Sequence, residues 1–417
     1  MNALPKTSPS PEAARAARTA LAVLFVINLF NYIDRQVLYA LLPLIKEEFR
    51  VSDAFLGALA SAFMLVYMCA APPIGWLADR TRRVLWIAGG LAAWSAATVF
   101  SGLSRSYAQL FCARAAVGVG ESCYGSVSPA FVAEHFPPER RGGVLAIFSM
   151  AIPVGSALGY VLGGWIGGTL GWRSAFFLLG APGLLLTLFA LKLKDPRSPQ
   201  QRAAKPPSLR EYAALYANRS YLASTLAMTS MTFCLGALAV WMPTFFVRTW
   251  GLDVARAGML FGGVTVAGGL AGSLLGGWLG DRLLRRTPKA YFLVSGAGLL
   301  LAMPAAWAAL TASSLPAALA ATFLAEGLAF LNMGPLNGVI VAVTVPAVRS
   351  MAFAANIFVI HALGDALSPT LVGKGSDLWS LKASLLLSTI FLGLAGALCF
   401  WGARHVHADT QEASHAG

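Results

Sequence analysis

Charge is scarce in this chain. Asp, Glu, Lys and Arg make up 12% of its 417 residues, about half of the roughly 25% carried by water-soluble domains. So few charges cannot cover a wet globular surface, and most of the exterior must meet something other than water. Cysteine is scarce too. Cys69, Cys112, Cys123, Cys234 and Cys399 lie singly in apolar stretches without repeated spacing, which excludes a disulfide framework and reads as reduced packing residues. There is no Walker A loop, no His/Cys cluster of zinc type and no serine nucleophile elbow. Neither enzyme chemistry nor a resident metal or cofactor is therefore indicated. The net charge of +13 comes from short basic clusters between apolar runs, which is a membrane-topology pattern and not the footprint of a nucleic-acid binder.

What the chain does have is apolar length. Hydrophobic residues form 57% of it and mean hydropathy is +0.67. About twenty apolar residues cross the ~30 Å hydrocarbon core as a helix, and twelve such stretches are predicted. The first six lie near 20–42, 54–78, 84–103, 107–132, 143–169 and 173–193. The second six lie near 219–247, 255–280, 289–311, 316–344, 350–373 and 381–403. The first run starts at Leu21 and is too long for a signal-peptide core, so it reads as a retained helix. Residues 1–17 and 404–417 read as disordered tails, 18–193 and 218–403 as two six-helix bundles, and the basic, proline-containing 194–217 as a linker with a short surface helix.

Lys and Arg placement orients these spans. With the N-terminus inside, 21 of the 31 basic residues fall in inner segments and 8 in outer ones, while Arg35 and Arg114 lie within helices. That bias puts both termini and the linker in the cytoplasm. The single Asn-x-Ser/Thr triplet, Asn218-Arg219-Ser220, is on that side and the outer loops are short, which reads as a multi-pass protein of a bacterial inner membrane, monomeric in the bilayer.

One segment occurs twice. GWLADRTRR, from Gly75 to Arg83, returns 202 residues later as GWLGDRLLRR, from Gly277 to Arg286. Both copies sit where the second helix of a six-helix group meets the cytoplasm. Glycine permits close helix approach, Asp79 or Asp281 can accept from backbone N–H groups or a basic partner, and arginines such as Arg80, Arg83 and Arg282 reach the headgroup zone. The duplication marks a repeated fold. These copies resemble the loop signature of the major facilitator superfamily. That resemblance implies two pseudo-symmetric bundles around a central cavity, rocking between inward- and outward-open states, with the loop motif latching one state.

Ionisable groups inside a membrane cost about 2.5–3.5 kcal/mol even on mild insertion scales, so those that persist are functional candidates. Asp34 and Arg35 fall in helix 1, Arg114 and Glu121 in helix 4, Glu326 in helix 10, and His361 with Asp365 in helix 11. Arg114 and Glu121 are seven apart and share a face, Asn31 extends the polar patch of helix 1, and His361 and Asp365 are spaced to meet. A carboxyl facing a cavity can carry a proton when its surroundings favour the neutral form. The alternative is a static network in which the four charges of helices 1 and 4 only brace one another. Aligning Pro43 with Pro243 sets Cys234 and Leu235 opposite Asp34 and Arg35, and no arginine accompanies Glu326. Coupling is thus expected in the N-terminal bundle, with Asp34 first, then Glu121, Arg35 and Arg114. Gly155, Gly159 and Gly163 of helix 5 repeat every four residues and suit close packing. Helix 5 carries Gly159-Tyr160 where the superfamily's antiporter signature has Gly-Pro, so antiport is not read from it.

Three segments resemble the spinster-type branch: NYIDR at 31–35, GVGESCYGSVSP at 118–129, and HALGDALSP at 361–369 followed by Gly375-Ser376-Asp377. The resemblance implies proton-coupled movement of lysophospholipids or sphingosine phosphate, with Asp34 as proton acceptor, Arg35 as its regulator or headgroup ligand, and Glu121 with Arg114 as partner site. A lysolipid needs a cation for its phosphate and an apolar flank for its tail. Arg35 and Arg114 can supply the first. Met228, Met231 and Phe233 can supply the second or simply pack the core. Two arginines also suit other organic anions, so a proton-coupled drug or organic-anion carrier is the competing expectation.

Overall fold

The computed structural model describes residues 11–196, 215–345 and 348–415. Helix accounts for most of them, with no strand among the described residues. Local capping sets many helix starts. Ser52, Ser106, Asn218, Asp253 and Ser380 each accept from the backbone N–H three residues on, meeting donors a helix start leaves unpaired. Gly171 (φ 84°) and Gly251 (φ 62°) turn the chain at helix ends with positive φ, a conformation open to glycine because it lacks Cβ.

The first bundle comprises α1 (Pro11–Phe49), α2 (Asp53–Arg80), α3 (Arg83–Leu103), α4 (Tyr107–Gly125), α5 (Gly143–Leu170) and α6 (Trp172–Ala190). The second comprises α7 (Arg219–Trp250), α8 (Val254–Leu284), α9 (Ala290–Thr311), α10 (Leu315–Ala342), α11 (Met351–Leu378) and α12 (Leu381–Gly402). Eleven of these are long and apolar enough to cross a membrane. The twelfth, α4, is diluted by Arg114 and Glu121 but packs along both α2 and α3 inside the bundle. Its polarity marks the site, not an exit from the bilayer.

Pairing repeats between the halves. The contacts α2–α4, α3–α4, α3–α6 and α1–α6 are matched by α8–α10, α9–α10, α9–α12 and α7–α12. The bundles meet along α5–α8, α2–α11 and α1–α7. Glycine makes two of these seams close: a Cβ on Gly164 would stand 2.6 Å from the Val254 carbonyl oxygen, and one on Gly57 would collide with the Pro369 carbonyl.

Two expectations need correction. The tail expected over 1–17 is helical from Pro11 onward, because its alanine-rich start is a strong helix former continuous with the span. The tail expected over 404–417 forms a helix, Val406–His415, and its Asp409 accepts from the Ser220 N–H at the start of α7 at 2.8 Å. Most of the linker expected over 194–217, with its surface helix, lies outside the described residues.

Twelve crossings return the chain to the face it left, here termed the terminal face; the opposite one is the distal face. Every side-chain hydrogen bond joining the two bundles among the described residues belongs to the distal half. Tyr160 Oη donates to the Ala239 carbonyl (2.8 Å) and Thr370 Oγ1 to Ser61 Oγ (2.7 Å). At the rim, Asp53 of α2 accepts from both terminal nitrogens of Arg248 at 2.6 and 2.7 Å, from Ser376 at 2.6 Å and from Lys46 at 2.5 Å. Asp377 of α11 accepts from the N–H groups of Asp53 and Ala54, both at 2.8 Å. The distal face is latched shut.

Candidate functional site: a crossed charge quartet between helices 1 and 4

Adjacent residues leave a helix about 100° apart, so Asp34 and Arg35 address different neighbours. Arg35 Nε lies 2.7 Å from Glu121 Oε2. Arg114 Nη1 lies 3.1 Å from Asp34 Oδ1, and Thr98 Oγ1 of α3 donates to Asp34 Oδ2 at 2.5 Å. Neither pair forms within a helix. Both cross between α1 and α4, and the four charges cancel.

Their exposure differs. Arg114, Asp34 and Glu121 are buried, whereas the Arg35 side chain keeps 13% of its surface. Its guanidinium stands 5.0, 5.0 and 5.1 Å from the ring centres of Tyr32, Phe63 and Tyr67, a cation–π setting that holds a charge among aromatic rings. Phe63 also adjoins Arg114 at 5.9 Å, so one ring touches both cations. Asn31 Nδ2, Arg114 Nε and Glu121 Oε1 are buried without a partner among the described residues. Such groups are costly when left unmatched, and here they offer hydrogen-bonding capacity to a proton or a polar ligand group.

Helix packing explains the placement. Gly155 and Gly159 of α5 lie against α1, where an added Cβ would be 2.7 Å from the Leu29 carbonyl oxygen and 2.6 Å from that of Ile33. Gly118 and Gly120 of α4 do the same toward α2 and α3. These approaches seat α1 on α5 and α4 on α2 and α3, and the arginine side chains span the remaining distance between α1 and α4.

The second half is different. Glu326 is buried beside a small, mainly apolar cavity with Leu235, Phe261 and Thr322, and has no hydrogen-bond or ion partner among the described residues. His361 and Asp365 fall in a π-helical turn, with Nδ1 2.9 Å from Oδ1, and both are half-buried. This turn of α11 packs against α7 and α2, and a Cβ built on Gly236 of α7 would lie 2.6 Å from the Asp365 Cβ. Met228 and Met231 are core residues against the Asn356 and Asn332 amides, and Phe233 stacks on Phe391 at 4.1 Å. The packing reading of those methionines thus fits the structure.

The duplicated loop is also unequal. Arg83 is buried and bonds Asp79 at 2.6 Å and both oxygens of Glu134 at 2.9 Å. Arg80 lies over the Trp76 ring at 4.1 Å. In the second copy Asp281 accepts from Tyr291 at 2.9 Å, while Arg282 and Arg285 are exposed. Gly75 and Gly277 have room around them, with Ser126 Cβ at 3.7 Å from a Cβ built on the first and nothing within 4 Å of one on the second. Sequence reasoning missed Thr98, the ring cage of Arg35, Glu134 and the Asp53 latch. The Ser52-Asp53 start of α2 reads as an ordinary cap, and contacts between distant helices leave no mark on local spacing.

Residues 24–369 match the Major Facilitator Superfamily. Protein spinster homolog 1 of Xenopus tropicalis is 35% identical over 387 residues, 87% of this chain and 73% of that protein. Protein spinster homolog 3 of Danio rerio is 35% identical over 93% of this chain and 84% of its own length. Human spinster homolog 1 is 34% identical over 95% and 83%. Among solved structures, a bacterial homolog to the human lysosomal transporter spinster, inward-facing and unoccupied, superposes with a TM-score of 0.85 at 24% identity, covering 96% of this chain and 99% of that one. With its paired six-helix bundles and its charge-bearing α4, this chain belongs to the spinster branch of the major facilitator superfamily, a membrane transporter and not an enzyme.

Proposed function

We propose that the chain is a proton-coupled carrier of an anionic amphipathic lipid, such as a lysophospholipid or sphingoid phosphate, working by alternating access between bundles 18–193 and 218–403. The observation that carries this reading is the contrast within the quartet: the Arg35 side chain stays partly accessible inside a ring cage while its partner Glu121 is fully buried. Protonating Glu121 removes the charge that holds Arg35 and leaves the guanidinium to a phosphate. Protonating Asp34 releases Arg114 in the same way. Asn31 supplies a further donor, and His361, Asp365 and Glu326 contribute polarity from the second bundle. The loop residues around Asp79 and Arg83, with their counterparts around Asp281, act as the terminal-side gate. We place the protein in a bacterial inner membrane as a monomer with both termini cytoplasmic, so that the latched distal face is the outer one.

A second reading, a drug or organic-anion carrier, draws on the same ring cage, since Tyr32, Phe63 and Tyr67 also suit a flat anion. Reconstituted protein separates the two. Uptake driven by an imposed pH gradient is expected for lysolipids or sphingoid phosphates, and its loss in Asp34→Asn and Glu121→Gln. Gradient-driven uptake of aromatic organic acids but not of lysolipids would favour the second reading, and uptake unchanged in both variants would remove proton coupling from the quartet.

A further inference from the structure

An open recess lies away from the quartet, on the outer face of α3 and α4 next to the terminal face. Its space, part of it open to the surroundings, amounts to about 760 Å³. Gly89 forms its floor, where an added Cβ would meet nothing within 4 Å. Beneath, Gly90 and Gly120 bring the two helices into backbone contact, each lying under the other's carbonyl. Leu85 and Val119 form walls and are both exposed, at 56% and 45%. Trp86 closes one end, its ring fixed by Nε1 donating to Thr81 Oγ1 at 2.7 Å.

We infer that this groove is a seat for one anionic phospholipid of the terminal-side leaflet, unconnected to the transported substrate. Three observations select that occupant. The first is depth: Arg82 and Ala93 both line the groove, and the eleven steps from one to the other cover roughly 16 Å of helix, about one leaflet of the ~30 Å core. The second is polarity, since the walls are almost wholly apolar and face away from the protein interior. Val119 looks outward while Glu121, two residues on, is completely buried on the other side of α4. The third is charge. Arg82 stands at the mouth, exposed, and its guanidinium has no partner among the described residues, because Asp79 and Glu134 are engaged by Arg83. A basic side chain at headgroup level attracts anionic lipid, and the groove below it takes one acyl chain against bare glycine backbone.

Native mass spectrometry of the full chain, released from vesicles of mixed phosphatidylglycerol and phosphatidylcholine, tests the assignment. One phosphatidylglycerol is expected to stay on the protein. Arg82→Gln should cut that retention roughly fivefold, the worth of one basic residue at a lipid surface, while leaving phosphatidylcholine retention unchanged. Gly89→Phe should abolish retention of either lipid, and the free space over Gly89 means the variant keeps its fold, which its thermal unfolding will report. As a second measurement, brominated acyl chains on phosphatidylglycerol should quench the wild type more than Trp86→Phe. Phosphatidylglycerol retained equally by wild type and Gly89→Phe overturns the proposal. So does displacement by glycerol phosphate alone, which would mark a plain anion site without a place for the chain.

Discussion

Arg35 reaches past its chain neighbour Asp34 to hold Glu121, Nε to Oε2 at 2.7 Å. Asp34 is held in turn by Arg114 and Thr98. A charge-neutral quartet of this kind ties α1 to α4 through two bonds that can be released one at a time. A pair confined to helix 1 would have no such consequence, because breaking it would leave helix 4 undisturbed.

The Arg114–Asp34 bond is the more buried of the two, and removing one partner strands the other. Arg114→Ala is expected to destabilise the protein by about 3–5 kcal/mol, the range for an uncompensated buried charge, read as a lowered unfolding temperature in detergent. Adding Asp34→Asn to Arg114→Ala should recover a large part of the loss. A double variant no more stable than Arg114→Ala would mean that the loss comes from packing around Phe63 and Phe176, which both border the guanidinium.

Distal closure depends on Asp53, which gathers Lys46, Arg248 and Ser376 around one carboxylate. Arg248→Ala removes a two-pronged contact between the bundles, the strongest geometry available to such a pair. The distal face is then expected to open more often. Spin labels at Glu47 and Lys382, both exposed near that face, should show a longer distance population in Arg248→Ala than in the unmodified chain. An unchanged distance distribution would assign closure to the glycine seams alone.

Much of this architecture is legible in residue order. Hydropathy and the two GWL-x-DR segments reveal the two bundles, and the cost of burying charge singles out Asp34, Arg35, Arg114 and Glu121 as a group. What residue order does not carry is partner choice. Asp34 and Arg35 adjoin in the chain and Arg114 and Glu121 share a face, so spacing favours the wrong pairs, and only the rotation between successive residues, together with the glycine seating of α1 on α5 and of α4 on α2 and α3, decides otherwise. Asp53 was invisible for a related reason. Lys46, Arg248 and Asp377 come from three helices up to 331 positions apart, and each alone is an ordinary charge at a membrane edge.

The two copies of the loop motif make a contrast that residue identity conceals. Arg83 is buried with two acidic partners, whereas Arg285, at the matching position of the second copy, is exposed. Arg83→Ala is therefore expected to lower the unfolding temperature and to alter uptake, and Arg285→Ala to change unfolding by no more than about 0.5 kcal/mol, as exposed substitutions do. Equal effects would show that the second copy gains partners in a conformation other than this one.

Glycines within a bundle and between bundles should respond differently to the same methyl group. Gly159 packs α5 on α1, and a Cβ there would be 2.6 Å from the Ile33 carbonyl oxygen. Both helices belong to one bundle in every stage of a rocking cycle, so Gly159→Ala is expected to cost stability of about 1–3 kcal/mol through overpacking. Gly57 packs α2 on Pro369 of α11, across the seam between bundles. A methyl group there is relieved when the bundles part. Gly57→Ala should thus leave each bundle intact and shift the protein away from the distally closed state, seen as faster thiol labelling of a cysteine placed at Ser61 in a background with the native cysteines replaced. Ser61 is buried where α2 meets Thr370, so its labelling reports opening directly. Slow labelling in Gly57→Ala, together with a melting loss like that of Gly159→Ala, would mean that the α2–α11 seam does not part at Gly57.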